Sequence, residues 1–168
     1  MNKDIVVLGC DPGQYGALVA VYGDNTIEYE TTPMQLITLS KNKEVDCIRI
    51  GEFVDQISHK DIVFVYESVH AMPAQGVSST FKFGMTTGLV VGAVIARAAA
   101  NGSLLSKHKV TPQKWKKEFA LLKQPKDSAI ELMKQHLPDV DFSEISKQKL
   151  SGIADAYFIA KYGIHHFV

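Results

Sequence analysis

Apolar residues in this chain come in short, nearly unbroken runs, and two of those runs end on a carboxylate. Ile5-Val6-Val7-Leu8-Gly9-Cys10 leads into Asp11-Pro12-Gly13, and Ile62-Val63-Phe64-Val65-Tyr66 leads into Glu67. A β-branched and aromatic run of this kind predicts a strand buried on both faces. Strand Asp4–Cys10 is followed by a turn through Gly16. Strands Ala17–Tyr22 and Thr26–Thr31 flank Gly23-Asp24-Asn25, a hairpin signal. The polar stretch Thr32–Asp46 reads as a loop. Ile50, Phe53, Val54 and Ile57 recur at helical spacing and predict a helix over Ile50–Ile57, ahead of a strand at Asp61–Tyr66.

After Glu67 a loop is expected over Ser68–Ser79, then a long helix of small residues to Ala100, closed by Asn101-Gly102. Leu104–Val110 reads as the fifth strand. Thr111-Pro112 opens a helix carrying Trp115 and Phe119 towards the core. Another starts at Pro125-Lys126-Asp127, with Ala129, Leu132, Met133 and His136 on one stripe. The last is expected over Gly152–Gly163 with Ser151 as its N-cap. Three antiparallel strands followed by alternating helices and strands make an α/β pattern. The order is that of the ribonuclease H-like fold: a five-stranded mixed sheet flanked by helices, in one domain spanning 1–168.

At 168 residues, 46% apolar and 21% charged, the chain can bury a core without disulfide staples. Cys10 and Cys47 show no metal-binding spacing and are expected to be free thiols in a reducing compartment. No signal peptide is expected, because Met1-Asn2-Lys3-Asp4 runs straight into a strand. The apolar run Met85–Ala100 is short for a bilayer span and holds Thr86, Thr87 and Arg97, so no membrane partner is expected. A cytoplasmic location follows as the expectation. Net charge is zero, yet seven lysines (107, 109, 114, 116, 117, 123 and 126) stand against one acid, Glu118, between Lys107 and Lys126.

A carboxylate at the end of a buried strand needs a cation or hydrogen bonds to offset its desolvation. If the two strands are neighbours, Asp11 and Glu67 repel one another, and a divalent metal is the usual way to keep both ionised. Asp155, in Ser151-Gly152-Ile153-Ala154-Asp155-Ala156, is expected in the first turn of the last helix, where the dipole favours negative charge. Alone it reads as a helix-start acid. Together the three supply the oxygens that a two-metal nuclease needs. The Asp11-Pro12-Gly13 turn also fits a phosphate loop of the sugar-kinase and actin type. That alternative lacks a second glycine-rich loop and the length for two lobes.

Leu8-Gly9-Cys10-Asp11-Pro12-Gly13, with Gly16-Ala17, resembles the first motif of the RuvC family of Holliday-junction resolvases. Val65-Tyr66-Glu67-Ser68-Val69, then Pro73-Ala74-Gln75-Gly76, Phe83-Gly84 and Gly88, is similar to the second, above all in phage-encoded and related bacterial members. Thr111-Pro112 with Trp115-Lys116, Lys126-Asp127-Ser128, and Gly152 to Ala156 follow in the family's order. The likeness runs from about Ile5 to Tyr162.

The resemblance implies a homodimeric crossover junction endodeoxyribonuclease with two Mg²⁺ or Mn²⁺ ions per active site. It would cut opposed strands of a four-way DNA junction in a bacterial or phage-infected cell. Asp11, Glu67 and Asp155 would be the catalytic metal ligands, and metal-activated water would leave a 5′-phosphate and a 3′-hydroxyl. One departure stands out. The family places an acid or a histidine three or four residues before the last aspartate, where this chain has Gly152 and Ser151. The three carboxylates suffice, or Asp127 or Glu131 reaches the site, or one metal site is weak. The last case gives the alternative of a catalytically weakened protein that binds branched DNA.

Lys82, Lys107, Lys109, Lys114, Lys116, Lys117, Lys147 and Lys149 are the candidate phosphate contacts, against the plainer reading of a solvated face. His70, Gln75 and Phe81 lie in the segment that, by the resemblance, faces the open centre of the junction. A flat side chain there stacks on an unpaired base; Phe81 and Phe83 as core residues, with His70 an ordinary surface residue, are the competing reading. Gly84, Gly88 and Gly92 form a flat stripe, either for packing within the chain or for a dimer interface. Adjacent His165 and His166 on a helix end are not expected to form a metal site.

Overall fold

The computed structural model describes residues 4–31, 34–36, 43–68, 70 and 76–168. In chain order the elements are β1 (Ile5–Asp11), β2 (Ala17–Val21), β3 (Ile27–Thr31), β4 (Met34–Leu36), β5 (Lys43–Val45), α1 (Cys47–Ile57), β6 (Asp61–Glu67), α2 (Val77–Ala100), β7 (Leu104–Val110), α3 (Pro112–Glu118), α4 (Ser128–His136) and α5 (Lys147–Phe167). The main sheet has the order β3-β2-β1-β6-β7. Its first three strands are antiparallel; β1, β6 and β7 run parallel. This is the mixed five-stranded sheet of a ribonuclease H-like fold, with β1 at its centre.

Side chains alternate between the faces of a strand, and both faces of this sheet are covered. Val7, Val19, Val63 and Val65 pack with Ile153, Ala156, Tyr157 and Ala160 of α5. Val6, Leu8, Leu18, Ile62 and Phe64 pack with Ile50, Phe53 and Val54 of α1 and Val90, Val94 and Ala98 of α2. Double burial is why the central strands read as continuous apolar runs. Gly9 sets the closest approach: a Cβ there would overlap the backbone of α5 at Ala156 and Ala160. The helix therefore lies directly on β1.

Several expected boundaries move. The loop expected over Thr32–Asp46 contains the antiparallel pair β4–β5, with Met34 opposite Val45 and Leu36 opposite Lys43. Three-residue strands are too short for their alternation to register in the sequence. Helix α1 begins at Cys47, because Asp46 accepts hydrogen bonds from the Ile48 and Arg49 N–H groups, each at 3.2 Å. Helix α2 begins at Val77, inside the expected loop.

The largest change is at α5, which starts at Lys147 after Ser146 rather than at Gly152 after Ser151. Buried Leu150 joins Ile153, Ala154 and Tyr157 at i, i+3, i+4 and i+7, so the polar triplet Lys147-Gln148-Lys149 is the solvent side of a helical turn. Asp155 thus lies in the helix interior, and the first-turn dipole does not act on it.

Helix α2 packs by one stripe only, and Gly84, Gly88 and Gly92 face open space. Among the described residues, packing within the chain therefore does not explain the glycine stripe. Helix α2 has 24 residues and an 18-residue stretch of mean hydropathy 1.5, long and apolar enough to cross a membrane, so the length argument against a span does not hold. In this fold Val90, Val94 and Ala98 seat it, and Arg97 grips Asp55 of α1 through two hydrogen bonds of 2.7 and 2.6 Å. Cys10 and Cys47 are both free thiols, as expected.

Candidate active site

Strand register brings the first two carboxylates together. Cys10 pairs with Tyr66 across the parallel β1–β6 ladder, so the next residues, Asp11 and Glu67, end the two strands side by side. Asp11 shares its face with Val7 and Gly9, and Glu67 shares its face with Val63 and Val65. That is the α5 face, and α5 presents Asp155 to it. The close seat on Gly9 thus carries the third carboxylate to the strand ends.

The three groups act on one another. Burial first, then Glu67 and Asp155, pushes the Asp11 carboxyl up to about 7, while the Gly13 N–H holds Asp11 Oδ1 at 3.2 Å. Burial raises Asp155 to about 6, with Lys116 opposing the shift and Glu67 adding to it. Glu67 is raised by burial, against a hydrogen bond from Trp115 and the charge of Lys116. Among the described residues, Lys116 is the cation that acts on all three members of the cluster.

An all-oxygen donor set that is desolvated and mutually repelling fits a hard divalent cation. Among the described residues, however, no three His, Cys, Asp or Glu side chains already close around an ion position.

Beside Asp11 an open cleft of about 670 Å³ runs along Gln14, Tyr15, Phe83, Lys126, Asp127, Lys147 and Ser151. Glu67 and Asp155 do not line it. Asp127 does reach the cleft, but its Oδ2 is bridged to Lys147 Nζ at 2.7 Å. Glu131 is exposed and does not line the cleft. Gly152 cannot carry a side chain: a Cβ there would overlap the Tyr15 carbonyl and crowd Gly16. Ser151, half-buried in the cleft wall, is the neighbouring position with room.

The lysines do not form one patch. Lys107 and Lys109 lie on edge strand β7 in register with Phe64 and Tyr66, on the sheet face opposite Asp11 and Glu67. Lys114 and Lys117 are exposed on α3, whereas Lys116 is half-buried. Lys147 lines the cleft, and Lys149 and Lys82 are exposed. Phe81 is 69% exposed, which removes its reading as a core residue; Phe83 lines the cleft. His70 is exposed, and Gln75 lies outside the described residues.

Two features were not foreseen. Trp115 Nε1 donates to Glu67 Oε1 at 2.9 Å. The signal available was weak: Trp115 follows Val110, the β7 residue in register with Glu67, by little more than one helical turn. At the other end of α3, both oxygens of Glu118 are held by His165 and His166. Those rings tie the end of α5 to α3.

No protein-family model matches the sequence, and no curated protein sequence does. Solved structures do match. The chain is similar to Thermus thermophilus RuvC in complex with Holliday junction substrate, with a TM-score of 0.58, 18% identity and 98% of each chain covered. Another Thermus thermophilus RuvC structure aligns over 94% of this chain and 96% of its own, at 18% identity and a TM-score of 0.53. The yeast mitochondrial Holliday junction resolvase Ydc2 aligns over 96% of this chain and 80% of its own, at 12% identity and a TM-score of 0.51. The fold of this chain is that of the RuvC-like resolvases.

Proposed function

We propose that this chain is a structure-selective endodeoxyribonuclease that resolves four-way DNA junctions by metal-dependent phosphodiester hydrolysis. The supporting observation is the convergence of Asp11, Glu67 and Asp155 at the ends of a parallel strand pair, within a RuvC fold. The three carboxylates would hold two Mg²⁺ or Mn²⁺ ions, and bound divalent metal supplies Lewis acidity at the phosphodiester. In the reaction, water adds its oxygen to phosphorus, and the 3′ oxygen leaves with a proton. The products are a 5′-phosphate and a 3′-hydroxyl. Exposed Lys114 and Lys117 on α3, Lys147 in the cleft wall and exposed Lys149 would hold phosphates. Phe81 and His70 would meet unpaired bases at the junction centre.

Two copies would work together, since two symmetric cuts suit a two-fold dimer. The open glycine stripe of α2, flanked by exposed Phe81, Met85 and Leu89, supports a homodimer through this helix. The setting would be the cytoplasm of a bacterium or a phage-infected cell. A labelled immobile junction and its matching linear duplex, incubated with Mg²⁺ or Mn²⁺, test the reading. Nicks on the junction alone, lost in Asp11→Asn, support it; equal cutting of the duplex contradicts it.

A second reading rests on Gly152, which leaves no room for a fourth ligand at that position. In it the chain binds branched DNA with weakened catalysis. Tight, metal-independent junction binding without nicks would favour it.

A further inference from the structure

We propose that Trp115 is a positioning residue of this site, its indole N–H anchoring one oxygen of Glu67 and leaving the other for a divalent cation. The inference rests on the reading that Asp11, Glu67 and Asp155 take metal. An indole N–H only donates, so the 2.9 Å contact from Nε1 to Glu67 Oε1 has one possible sense. It is also neutral. A lysine or arginine there would fix the carboxylate by competing with the incoming cation, whereas an indole orients it and leaves its charge available.

The donor is rigid. Trp115 is 0% exposed and packs with Val110, Leu121 and Met133, so its apolar body is core and its polar edge is site. A buried indole N–H left without a partner is costly, which makes the bond strongly preferred from both sides. The chain path reinforces it: β7 ends at Val110, in register with Glu67, and Pro112 starts α3 at once. The next residue, Lys116, holds its ammonium 5.0 Å over the Trp115 ring and acts on the carboxylate cluster. One short helix thus supplies both an anchor and a counter-charge. Groups that orient metal ligands in this way typically change affinity by about 10–100-fold when lost.

Trp115 is the only tryptophan in the chain, which makes a clean test possible. Biosynthetic replacement of tryptophan by benzothienylalanine puts sulfur in place of the N–H at this position alone and keeps the ring volume. Mn²⁺ binding, followed by electron paramagnetic resonance titration, should weaken by about 10–100-fold, with an unchanged circular dichroism spectrum. Trp115→Phe, a second variant with a smaller ring, should weaken it to the same degree.

A metal-free readout accompanies these. The single indole ¹⁵N–¹H resonance should be protected from exchange in the native chain, and shifted and less protected in Glu67→Gln. Native Mn²⁺ binding with unchanged affinity in the benzothienyl protein overturns the inference alone. So does an indole resonance that ignores Glu67→Gln. A native chain that binds no Mn²⁺ overturns the metal reading beneath it.

Discussion

Gly152 of α5 lies flush against the Tyr15 carbonyl, so the turn after β1 and the helix that carries Asp155 meet backbone to backbone. The contact fixes Asp155 relative to Asp11 and closes position 152 to any side chain. Gly152→Ala should cost about 1–3 kcal/mol through overpacking, a loss of roughly 2–12 °C in Tm at this chain length. Ser151→Ala, one residue earlier on the cleft wall, should leave Tm nearly unchanged. Thermal unfolding of the two variants decides this, and a native Tm for Gly152→Ala contradicts the close approach.

Position 151 has the room that 152 lacks. Ser151→Asp should fold and bind Mn²⁺ more tightly than the native chain, because it adds an oxygen donor beside Asp11. Titration of the metal-free proteins measures it. Equal or weaker binding would place the cleft wall outside the metal's reach.

Metal-free stability should fall as pH rises. The Asp11 carboxyl titrates near 7 and that of Asp155 near 6, against about 4 in an unfolded chain. Between these values the unfolded chain has released protons that the folded chain still holds, so raising pH favours unfolding. The loss begins above about pH 4 and is complete once pH has passed about 7. Asp11→Asn keeps an oxygen for the Gly13 N–H and removes the charge. In EDTA at pH 8 it should be more stable than the native chain by on the order of a few kcal/mol, with the difference vanishing near pH 4. Adding Mn²⁺ at pH 8 should raise the native Tm and leave that of Asp11→Asn little changed.

The lysines of α3 should divide by role. Lys114→Ala and Lys117→Ala remove exposed cations and should weaken junction binding, each lowering the salt slope by roughly 1, with folding intact. Lys116→Ala should reduce cleavage more than binding, since that side chain faces the carboxylates. Fluorescence anisotropy at several salt concentrations, run beside cleavage, separates them. Equal effects of all three substitutions on binding would remove the distinction.

Gly88→Glu would place a charge on the open face of α2. The native chain should sediment as a dimer and this variant as a monomer with the same circular dichroism spectrum. Paired nicks on a junction should then become single. A monomeric native chain at micromolar concentration contradicts the homodimer.

Much of this architecture was legible in the sequence because the central strands are buried on both faces. Their apolar runs stop where Asp11 and Glu67 begin, and strand alternation then places both carboxylates on one face. The start of α5 was not legible: Lys147-Gln148-Lys149 looks like loop until Leu150 is known to be buried. Nor were β4 and β5, whose three-residue strands show no periodicity. The bond from Trp115 to Glu67 joins residues 48 positions apart and depends on the β6–β7 register, so it leaves no local trace. Register also splits the lysine run, sending Lys107 and Lys109 to the far face of the sheet.

The most direct measurement is junction cleavage by Asp11→Asn, Glu67→Gln, Asp155→Asn and the Asp11→Asn/Glu67→Gln double variant, with junction binding followed in parallel. If the three carboxylates form one catalytic unit, each substitution should abolish nearly all cleavage while binding persists. The double variant should be little worse than either single one, because groups acting as a unit are not additive. Native-level cleavage by any of the single variants would contradict a shared three-carboxylate site.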